Sequence, residues 1–451
     1  MLKEINLHAG AVDVGSEYMH VAVYNGPTTV FTTMTSQLYE IAKFFKEQAV
    51  TTVVMEATGV YWMALYQVLE EAGLEVLVVN GAHVKNLPGR KSDMSDPQWL
   101  AELHAHGLLR SGFVPPESIR RLRDYQRLRQ DHIQMGSAHI LHMQKALDRM
   151  NIKIHEVLSQ LVGVSGLRVI RAILKGERNA EKLVELCDDQ VLATKRERMI
   201  EALHGFWQPE HLFALGQGLE GWEFYQQQMA ACDQRIDEVL QQIRPAQPQA
   251  PEGPGKSSEK PTSPVRTQQK KIHHNPPRIA NFHEKVTRLC GGREVDQLPS
   301  MTDYTALQIV AEIGTDMSRW PSVKHFVAWL GLAPSSRQSG KCRKKEKRFR
   351  GRAGRLFCVA ARGLARSKYL ALGGFYRRVR ATRGGQVADI AAARKLAQLF
   401  YWTLKYGFTY VEQGLQTYEA KYRAQSIKRL QAAARRFGLS IVPEHPAHAA
   451  T

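Results

Sequence analysis

The chain lacks the features of a membrane or secreted protein. No apolar run reaches the roughly 18 residues that a membrane-spanning helix needs, and the N-terminal segment MLKEINLHAG has no signal-peptide pattern. The cysteines are few, odd in number and without metal-ligand spacing. They stand at positions 187, 232, 290, 342 and 358. These absences argue against a disulfide framework or a zinc site and predict a reduced, cytoplasmic protein with no membrane partner.

Acidic residues are too few to balance the basic ones. The 451 residues include 62 Lys and Arg against 43 Asp and Glu, a net charge of +19. Residues 1–117 nevertheless hold 13 acids and only 7 bases, so the positive excess lies in the rest of the chain. A basic body joined to an acidic domain predicts a polyanion that the body holds and the acids act on. A merely soluble basic protein is the alternative.

The first 117 residues predict a layered α/β domain. The runs HAGAVDVG, YMHVAVYN and PTTVFTTM predict three consecutive strands. The segments SQLYEIAKFFKEQAV, TTVVMEAT, TGVYWMALYQVLEEAG and LEVLVVN then predict helix, strand, helix and strand. This order is that of ribonuclease H-like nuclease folds.

The pattern changes near Ile119 to one long helix in a helical region, 118–244. Its apolar residues are spaced alternately by three and four, which favours a coiled coil and self-association; packing within its own domain is the alternative. The seam consists of Ile140, Met143, Leu147, Met150, Ile154, Val157 and Leu161. Four histidines on this helix lack neighbouring ligand patterns, so we interpret them as surface or seam residues.

The segment 245–277 is rich in proline and poor in apolar residues, with 8 of the chain's 19 prolines. Such a composition predicts a disordered linker. A mostly α-helical C-terminal domain is predicted over 278–438, followed by an irregular tail, 439–451.

Four acids follow predicted strands. Asp13 ends the first strand, Glu56 ends the fourth, and Asp93 and Asp96 follow the fifth. Aligned neighbouring strands can bring such residues to one end of a sheet. Like charges at close range either raise a pKa or bind a cation, and oxygen-only ligands suit Mg²⁺ or Mn²⁺. A pair of such ions supports phosphodiester chemistry.

Each acid also has a structural alternative. Asp13 precedes a glycine and could be a turn residue, and Glu56 could cap the following helix. Asp96 precedes Pro97, which suits the first helical position, so Asp96 is a natural N-cap. The spacing alone leaves metal binding and capping open.

A second candidate site is the basic segment GLAPSSRQSGKCRKKEKRFRGRAGR, residues 331–355. Ten Lys or Arg and one acid lie between Arg337 and Arg355, a composition suited to a phosphate backbone. Ser339 precedes Gly340, which permits close approach of a large substrate. A serine needs activation to attack phosphorus, and a simple turn in a solvated basic loop is the alternative.

Several of these stretches together resemble a known family. They are AVDVGSEYMHVAVY, VVMEATGVYW, NGAHVKNLPGRKSDMSD and WPSVKHFVAWLGLAPSSRQSGK…RKLAQLFY. In this order they resemble the DEDD transposases of bacterial insertion sequences, of the insertion sequence one-ten family. The segment MQKALDRMNIKIHEVLSQLVGVSGLRVIRAILKGER is similar to its eleven-eleven subgroup.

The resemblance implies a RuvC-like N-terminal domain whose acids bind Mg²⁺ (Mn²⁺ is also possible), and a C-terminal transposase domain with a serine nucleophile. The acids fall at Asp13, Glu56, Asp93 and Asp96 here. The serine aligns best with Ser339 and less well with Ser335 or Ser336. Neighbouring phosphates would be neutralised by Lys341, Arg343, Lys344 and Lys345.

The resemblance further implies a recombinase that acts on element ends and target DNA. A structured noncoding RNA would guide it, and dimers or tetramers would pair the acids of one protomer with the serine of another. The expected location is the bacterial nucleoid. The stretch LPSMTDYTALQIVAEIG lacks the early glycines of the family's helix–hairpin–helix signature, and the insert 245–277 is atypical. A metal nuclease that activates water, or a non-catalytic nucleic-acid-binding protein, are the alternative functions.

Overall fold

The structure is a computed structural model that describes residues 4–84, 96–109, 111–243, 275–334, 337–339, 342–344, 350–407 and 414–441. The chain forms two compact units, Met1–Pro115 and Pro116–Thr451. Across the described ranges, no helix combines the length and the apolarity needed to cross a membrane. Asp93, Lys341 and Lys345 lie outside these ranges, as does most of the predicted linker.

The first unit contains one mixed five-stranded sheet. Its strands are β1 (Ala9–Val14), β2 (Tyr18–Val23), β3 (Thr28–Thr32), β4 (Thr52–Glu56) and β5 (Glu75–Val79). Its helices are α1 (Thr35–Glu47), α2 (Trp62–Glu71), α3 (Gly81–Val84) and α4 (Asp96–Ala105). The order is β3-β2-β1-β4-β5, with β1–β3 antiparallel and β4 and β5 parallel to β1. The predicted strand and helix order of this unit is confirmed.

Two apolar layers cover the two faces of this sheet, because successive side chains on a strand point to opposite faces. Val12 and Met55 lie in a core cluster that includes residues of α1 and α2. Ala11 and Val54, one position earlier on the same strands, lie in a second cluster with residues of α4. Both central strands are therefore buried on both faces, as parallel strands between helices are.

The second unit is mostly helical. Its first part comprises α5 (Glu117–Arg149), α6 (Ile154–Val157), α7 (Val164–Leu174), α8 (Ala180–Val184), α9 (Asp189–Leu203) and α10 (Pro209–Gln242). Its second part comprises α11 (Phe282–Leu289), α12 (Asp303–Ile313), α13 (Val323–Trp329), β6 (Arg337–Ser339), β7 (Cys342–Lys344), α14 (Arg352–Gly363), α15 (Ala371–Arg383), α16 (Gly385–Tyr406) and α17 (Leu415–Arg436). Short 3₁₀ helices cover Val295–Gln297 and Leu364–Arg366.

Helices α5 and α10 form a long antiparallel pair. Arg129 on α5 contacts Asp233 on α10. About two turns further along α5, Gly136 faces Tyr225 of α10. At Gly218 of α10 a side chain would collide with Met143 of α5, so glycine allows the two helices to approach closely there.

The predicted apolar seam packs inside the chain. The long helix ends at Arg149, and Asn151 beyond it has φ of 55°, in the left-handed region that interrupts a helix. Six seam residues, from Met143 to Leu161, are buried in a core cluster with α7, α8, α9 and α10, and Ile140 packs against it. The seam thus packs within its own domain, the alternative to a coiled coil, because helices of the same chain cover it.

An aromatic cluster forms the core of the second part. Phe326, Phe357 and Phe400 are fully buried, with ring centroids 5.5 Å apart for Phe357 and Phe400. The hydroxyl of Tyr401 donates to the carbonyl of Trp320 at 2.8 Å, which satisfies the polar end of this buried ring.

Candidate active site

Asp13 and Glu56 occupy equivalent positions on neighbouring strands. β1 and β4 run parallel, and Val12 pairs with Met55 in their register. One residue further along both strands come Asp13 and Glu56. Parallel strands lie about 4.8 Å apart, so the two acids are side by side at the end of the sheet.

Both acids point to the same face. Asp13 lies two residues after Ala11, and Glu56 lies two residues after Val54. Because side-chain direction alternates along a strand, each acid shares the face of its apolar neighbour, which is the face that α4 covers. Both acids are half-buried. The structure therefore brings two of the four predicted acids together on one face.

Gly81 makes room for the Glu56 carboxylate. It follows β5, the parallel neighbour of β4, and begins α3. A β-carbon at position 81 would overlap the Glu56 carboxylate oxygens. Glycine is required here by close approach, a signal that is present in the sequence as NGAH but whose partner only the fold reveals.

Asp96 stands at the first turn of α4 and is exposed. The helix packs on the Asp13 and Glu56 face through residues such as Trp99. Its hydrogen-bonded anchors, however, lie toward the other end of the strands: Gln98 donates to the carbonyl of Gly26 at 3.3 Å, and His104 Nε2 lies 2.9 Å from the Thr52 hydroxyl. Asp96 as a member of the acidic cluster stays a prediction, as does Asp93.

Part of the predicted basic loop is a hairpin. β6 and β7 pair antiparallel, and Ser339, the last residue of β6, is the partner of Cys342, the first residue of β7. Arg343 and Lys344 belong to β7. The backbone thus places Ser339 at one end of a basic two-stranded ribbon. The roles of this serine and of the lysines and arginines around it stay predictions.

The two ends of the basic segment are held together. Gly354 on α14 lies against the carbonyl of Leu330, where a β-carbon would clash. Arg352, the first residue of the same helix, lies 3.6 Å from Glu312 at the end of α12. Glu312 also receives two hydrogen bonds from Arg127 of α5, at 3.0 and 2.8 Å. Sequence reasoning missed this acid because its partners come from distant helices.

The segment LPSMTDYTALQIVAEIG, residues 298–314, lacks the early glycines of the family signature but has an unusual backbone conformation near its start. Ser300 has φ of 61°, in the left-handed region that favours glycine. Its hydroxyl donates to the carbonyl of Ala360 at 2.6 Å. Thr302 then caps α12 by accepting from the amide of Thr305 at 3.1 Å. The turn into α12 is therefore built with serine and threonine hydrogen bonds.

Among the described residues, one further group could hold a metal ion: His283, Asp296 and Asp303, whose ligand atoms lie within 4.8 Å of one another. His283 Nδ1 lies 3.1 Å from a carboxylate oxygen of Asp303. That hydrogen bond raises the pKa of His283, as expected for an ion pair. The sequence offered no signal, since the three residues come from separate elements.

Comparison with known families gives a match in each of the two regions that carry the predicted site residues. Residues 11–152 match the DEDD transposase family model of the IS110 type, and residues 292–377 match the transposase IS116/IS110/IS902 family. No curated protein matches the chain. The first match contains all four predicted acids and implies an RNase H-like fold, and domains of this kind generally use divalent metal ions. The second contains Ser339. With acids paired on a mixed sheet and both transposase regions present in order, the chain belongs to the IS110-family DEDD transposases and is a DNA transposase/recombinase.

Proposed function

We propose that this transposase cuts and exchanges DNA strands by a serine attack assisted by a metal-bound acidic cluster. The observation that carries the proposal is the alignment of Asp13 and Glu56, half-buried on one face of neighbouring parallel strands. Two carboxylates held this close favour a cation between them or a proton on one of them. In a transposase that acts on phosphodiesters, we assign them to a divalent cation.

The donor set fits Mg²⁺, with Mn²⁺ as a second possibility. The candidate ligands are all carboxylate oxygens, which hard divalent ions prefer, and the donors we assign are Asp13, Glu56, Asp93 and Asp96. Gly81 supports the fit because it leaves the Glu56 carboxylate uncovered by a side chain. When bound, the ion supplies positive charge against the phosphate oxygens.

Ser339 supplies the nucleophile. Its oxygen forms a bond to phosphorus while one phosphorus–oxygen ester bond of the DNA breaks, and the serine proton leaves with the released DNA hydroxyl. One DNA end is then held as a phosphoserine ester, so strands can be exchanged without free double-strand ends. Reversal of the step with a different DNA hydroxyl rejoins the strand and restores the serine.

The bases near Ser339 hold the DNA. Lys341, Arg343, Lys344 and Lys345 neutralise phosphates beside the reacting one, which makes binding strongly dependent on salt. Because these residues act on the ground-state complex, their loss would weaken DNA binding more than it would change the chemical step.

A covalent adduct tests the nucleophile. Ser339→Ala should abolish any protein–DNA adduct on a denaturing gel and leave DNA binding within about twofold, since a hydroxyl contributes little to backbone affinity. Ser335→Ala and Ser336→Ala are matched controls and should keep the adduct. An adduct that persists in Ser339→Ala identifies another nucleophile. Cleavage to free, unlinked ends by the wild-type chain would favour the alternative, a metal nuclease that activates water.

Assembly and guidance are further parts of the proposal, and both rest on the family resemblance. Asp13→Ala and Ser339→Ala chains, each inactive alone, should regain adduct formation when mixed if the acids of one copy serve the serine of another. Sequencing of RNA that co-purifies with the chain should recover one discrete structured transcript. Recovery of heterogeneous cellular RNA would count against a guide.

A further inference from the structure

Helix α17 is a basic helix on the surface of the second unit, outside both regions that match the transposase families. Among its described side chains, only Tyr418, Ser426 and Ala434 are half-buried and the rest are exposed. It carries one acid, Glu419, against six bases. The bases are Lys421, Arg423, Lys428, Arg429, Arg435 and Arg436. The bases therefore outnumber the acids by six to one along this exposed helix.

The bases are ordered along the helix. Lys421, Lys428 and Arg435 are seven residues apart, which is close to two turns, so they lie in one line. Arg429 and Arg436 each follow a member of this line and widen it. At 1.5 Å per residue the line extends about 20 Å. This is the length over which a duplex presents several phosphates, since B-DNA carries one charge per about 1.7 Å of axis.

The beginning of α17 is anchored on α15 by stacking. The guanidinium carbon of Arg378 lies 3.7 Å from the ring centroid of Tyr422 and 5.2 Å from that of Tyr418. Both tyrosines belong to the first two turns of α17. The anchor therefore fixes the start of the helix, while the bases from Lys428 onward lie on its exposed remainder.

The supporting surface is positive as well. Residues 371–407, which form α15 and α16, contain seven Lys or Arg and one acid, Asp389. The Asp389 carboxylate accepts hydrogen bonds from Arg362 Nε and from the Tyr376 hydroxyl, each at 2.9 Å. Burial and the charge of Arg378 together lower the pKa of Lys395, as expected in a positively charged environment. Along residues 371–407 the bases thus outnumber the acids by seven to one.

The chemistry favours a polyanion over a second copy of the helix. Two α17 helices placed side by side would bring like charges together, which is unfavourable. DNA is the polyanion on which this family acts. We propose that α17 is a second DNA-binding surface, which grips the phosphate backbone of duplex DNA through Lys428, Arg429, Arg435 and Arg436. This inference rests on the DNA-directed activity of the family and is independent of the acidic cluster and of Ser339.

The test is equilibrium binding of a fluorescent DNA duplex of mixed sequence to the full chain over a range of salt concentrations. The test variant carries Lys428→Gln, Arg429→Gln, Arg435→Gln and Arg436→Gln, substitutions that preserve helix propensity. Its affinity should fall about tenfold or more near physiological salt. The slope of log affinity against log salt should become shallower by up to about 3.6, since each of the four lost phosphate contacts removes about 0.9.

Two matched variants separate a local surface from net charge. Lys43→Gln, Lys46→Gln, Lys175→Gln and Lys182→Gln remove the same charge from exposed positions elsewhere, and should leave the slope within about 1 of the wild-type value. Arg429→Lys, Arg435→Lys and Arg436→Lys keep the charge on α17 and should keep the affinity. Circular dichroism checks that all three variants are folded.

An unchanged slope in the α17 variant overturns the proposal, as does an equal loss in both charge-removed variants. A loss of affinity for structured RNA with DNA binding intact would assign the surface to RNA and reject DNA. A change of oligomeric state with unchanged DNA affinity would assign it to protein association. None of these outcomes bears on the serine mechanism, because the binding assay involves no cleavage, and loss of the covalent adduct would not alter this binding result.

Discussion

The Glu56 carboxylate lies against the α-carbon of Gly81. The segment after β5 can therefore pass the end of β4 only because residue 81 has no side chain. Asp13 lies beside Glu56 across the parallel pairing of β1 and β4. The neighbouring strands β1 and β4 thus each contribute an acid to one end of the sheet, and the segment that follows β5 contributes Gly81. The proposed metal site depends on this close packing.

Replacing Gly81 with alanine should displace the Glu56 carboxylate. The added methyl group overlaps the carboxylate oxygens, and a displacement of about 1 Å at a catalytic group can lower a rate about 100-fold. Adduct formation should therefore fall strongly, while overpacking lowers the free energy of unfolding by about 1–3 kcal/mol. Gly385→Ala is the control, since a β-carbon there meets nothing within 4 Å. Wild-type activity in Gly81→Ala would show that Glu56 needs no fixed position.

Asp96 can be tested for its two roles separately. Asp96 is the first residue of α4, where its negative charge stabilises the helix N-terminus, so Asp96→Asn should lower the free energy of unfolding by no more than about 1 kcal/mol. If Asp96 is a metal ligand, Asp96→Asn should lower Mg²⁺ affinity, measured by calorimetry, and adduct formation with it. Asp96→Ala should lower stability by a similar amount and lose activity as well. Full activity in Asp96→Asn would limit the role of Asp96 to the helix N-terminus.

The buried pair of Arg129 and Asp233 should dominate the stability of the second unit. Arg129 Nε lies 2.6 Å from Asp233, and its Nη1 donates to the Tyr304 hydroxyl at 2.9 Å. Both charged side chains are nearly inaccessible to solvent. Arg129→Met leaves a buried carboxylate unpaired and should lower the free energy of unfolding by about 3–5 kcal/mol in urea denaturation.

Two further variants complete this prediction. Arg129→Met combined with Asp233→Leu should recover much of the loss, because no unpaired charge remains. Arg235→Met breaks an exposed pair with Glu238 and should cost less than about 1 kcal/mol. Equal losses in Arg129→Met and Arg235→Met would contradict a special role for the buried pair.

His104 should make the first unit sensitive to acid. Burial lowers its pKa to about 4, and its Nε2 is hydrogen-bonded to the Thr52 hydroxyl at 2.9 Å. An unfolded histidine titrates near 6.5, so below that pH the unfolded state binds a proton that the folded state does not. The contribution of His104 to the free energy of unfolding is therefore complete above about pH 6.5. It decreases as the pH drops toward 4, by up to about 3 kcal/mol.

The measurement is amide hydrogen exchange of β1 and β4 at several pH values, corrected for intrinsic rates. His104→Gln removes the titrating group and should flatten the dependence between about pH 6.5 and 4. His8→Gln is the control, because His8 is exposed. A dependence that is the same in wild type and His104→Gln would assign the acid sensitivity to other groups.

The sheet of the first unit was predictable because its signals are local. Alternating or continuous apolar runs specify strands, three-to-four spacing specifies helices, and the order of elements then limits the topology. The acids at strand ends were visible for the same reason. Their common face was not, since it depends on the register between β1 and β4, and a shift of one residue would place Asp13 and Glu56 on opposite faces.

The apolar seam from Ile140 to Leu161 was visible in the sequence, but its packing partner was not. Its spacing predicted that something apolar would cover it, but spacing does not say whether the partner is another chain or the same one. The structure places α7–α10 of the same chain on that seam. The basic segment is similar: its charge was evident, while the pairing of Ser339 with Cys342 depends on a short hairpin that the composition does not specify.

The sequence by itself determined the uneven charge and the order of strands and helices in the first unit, and it supplied the acids, the serine and the basic residues of the proposed site, because these follow from residue type and short-range spacing. Only the tertiary structure decided that Asp13 and Glu56 share a face, that Gly81 makes room for Glu56, that Glu312 joins α5, α12 and α14, and that α17 stands exposed on a stacked arginine. These are contacts between residues far apart in the chain. They exist only once buried apolar surface has selected a single arrangement of the elements.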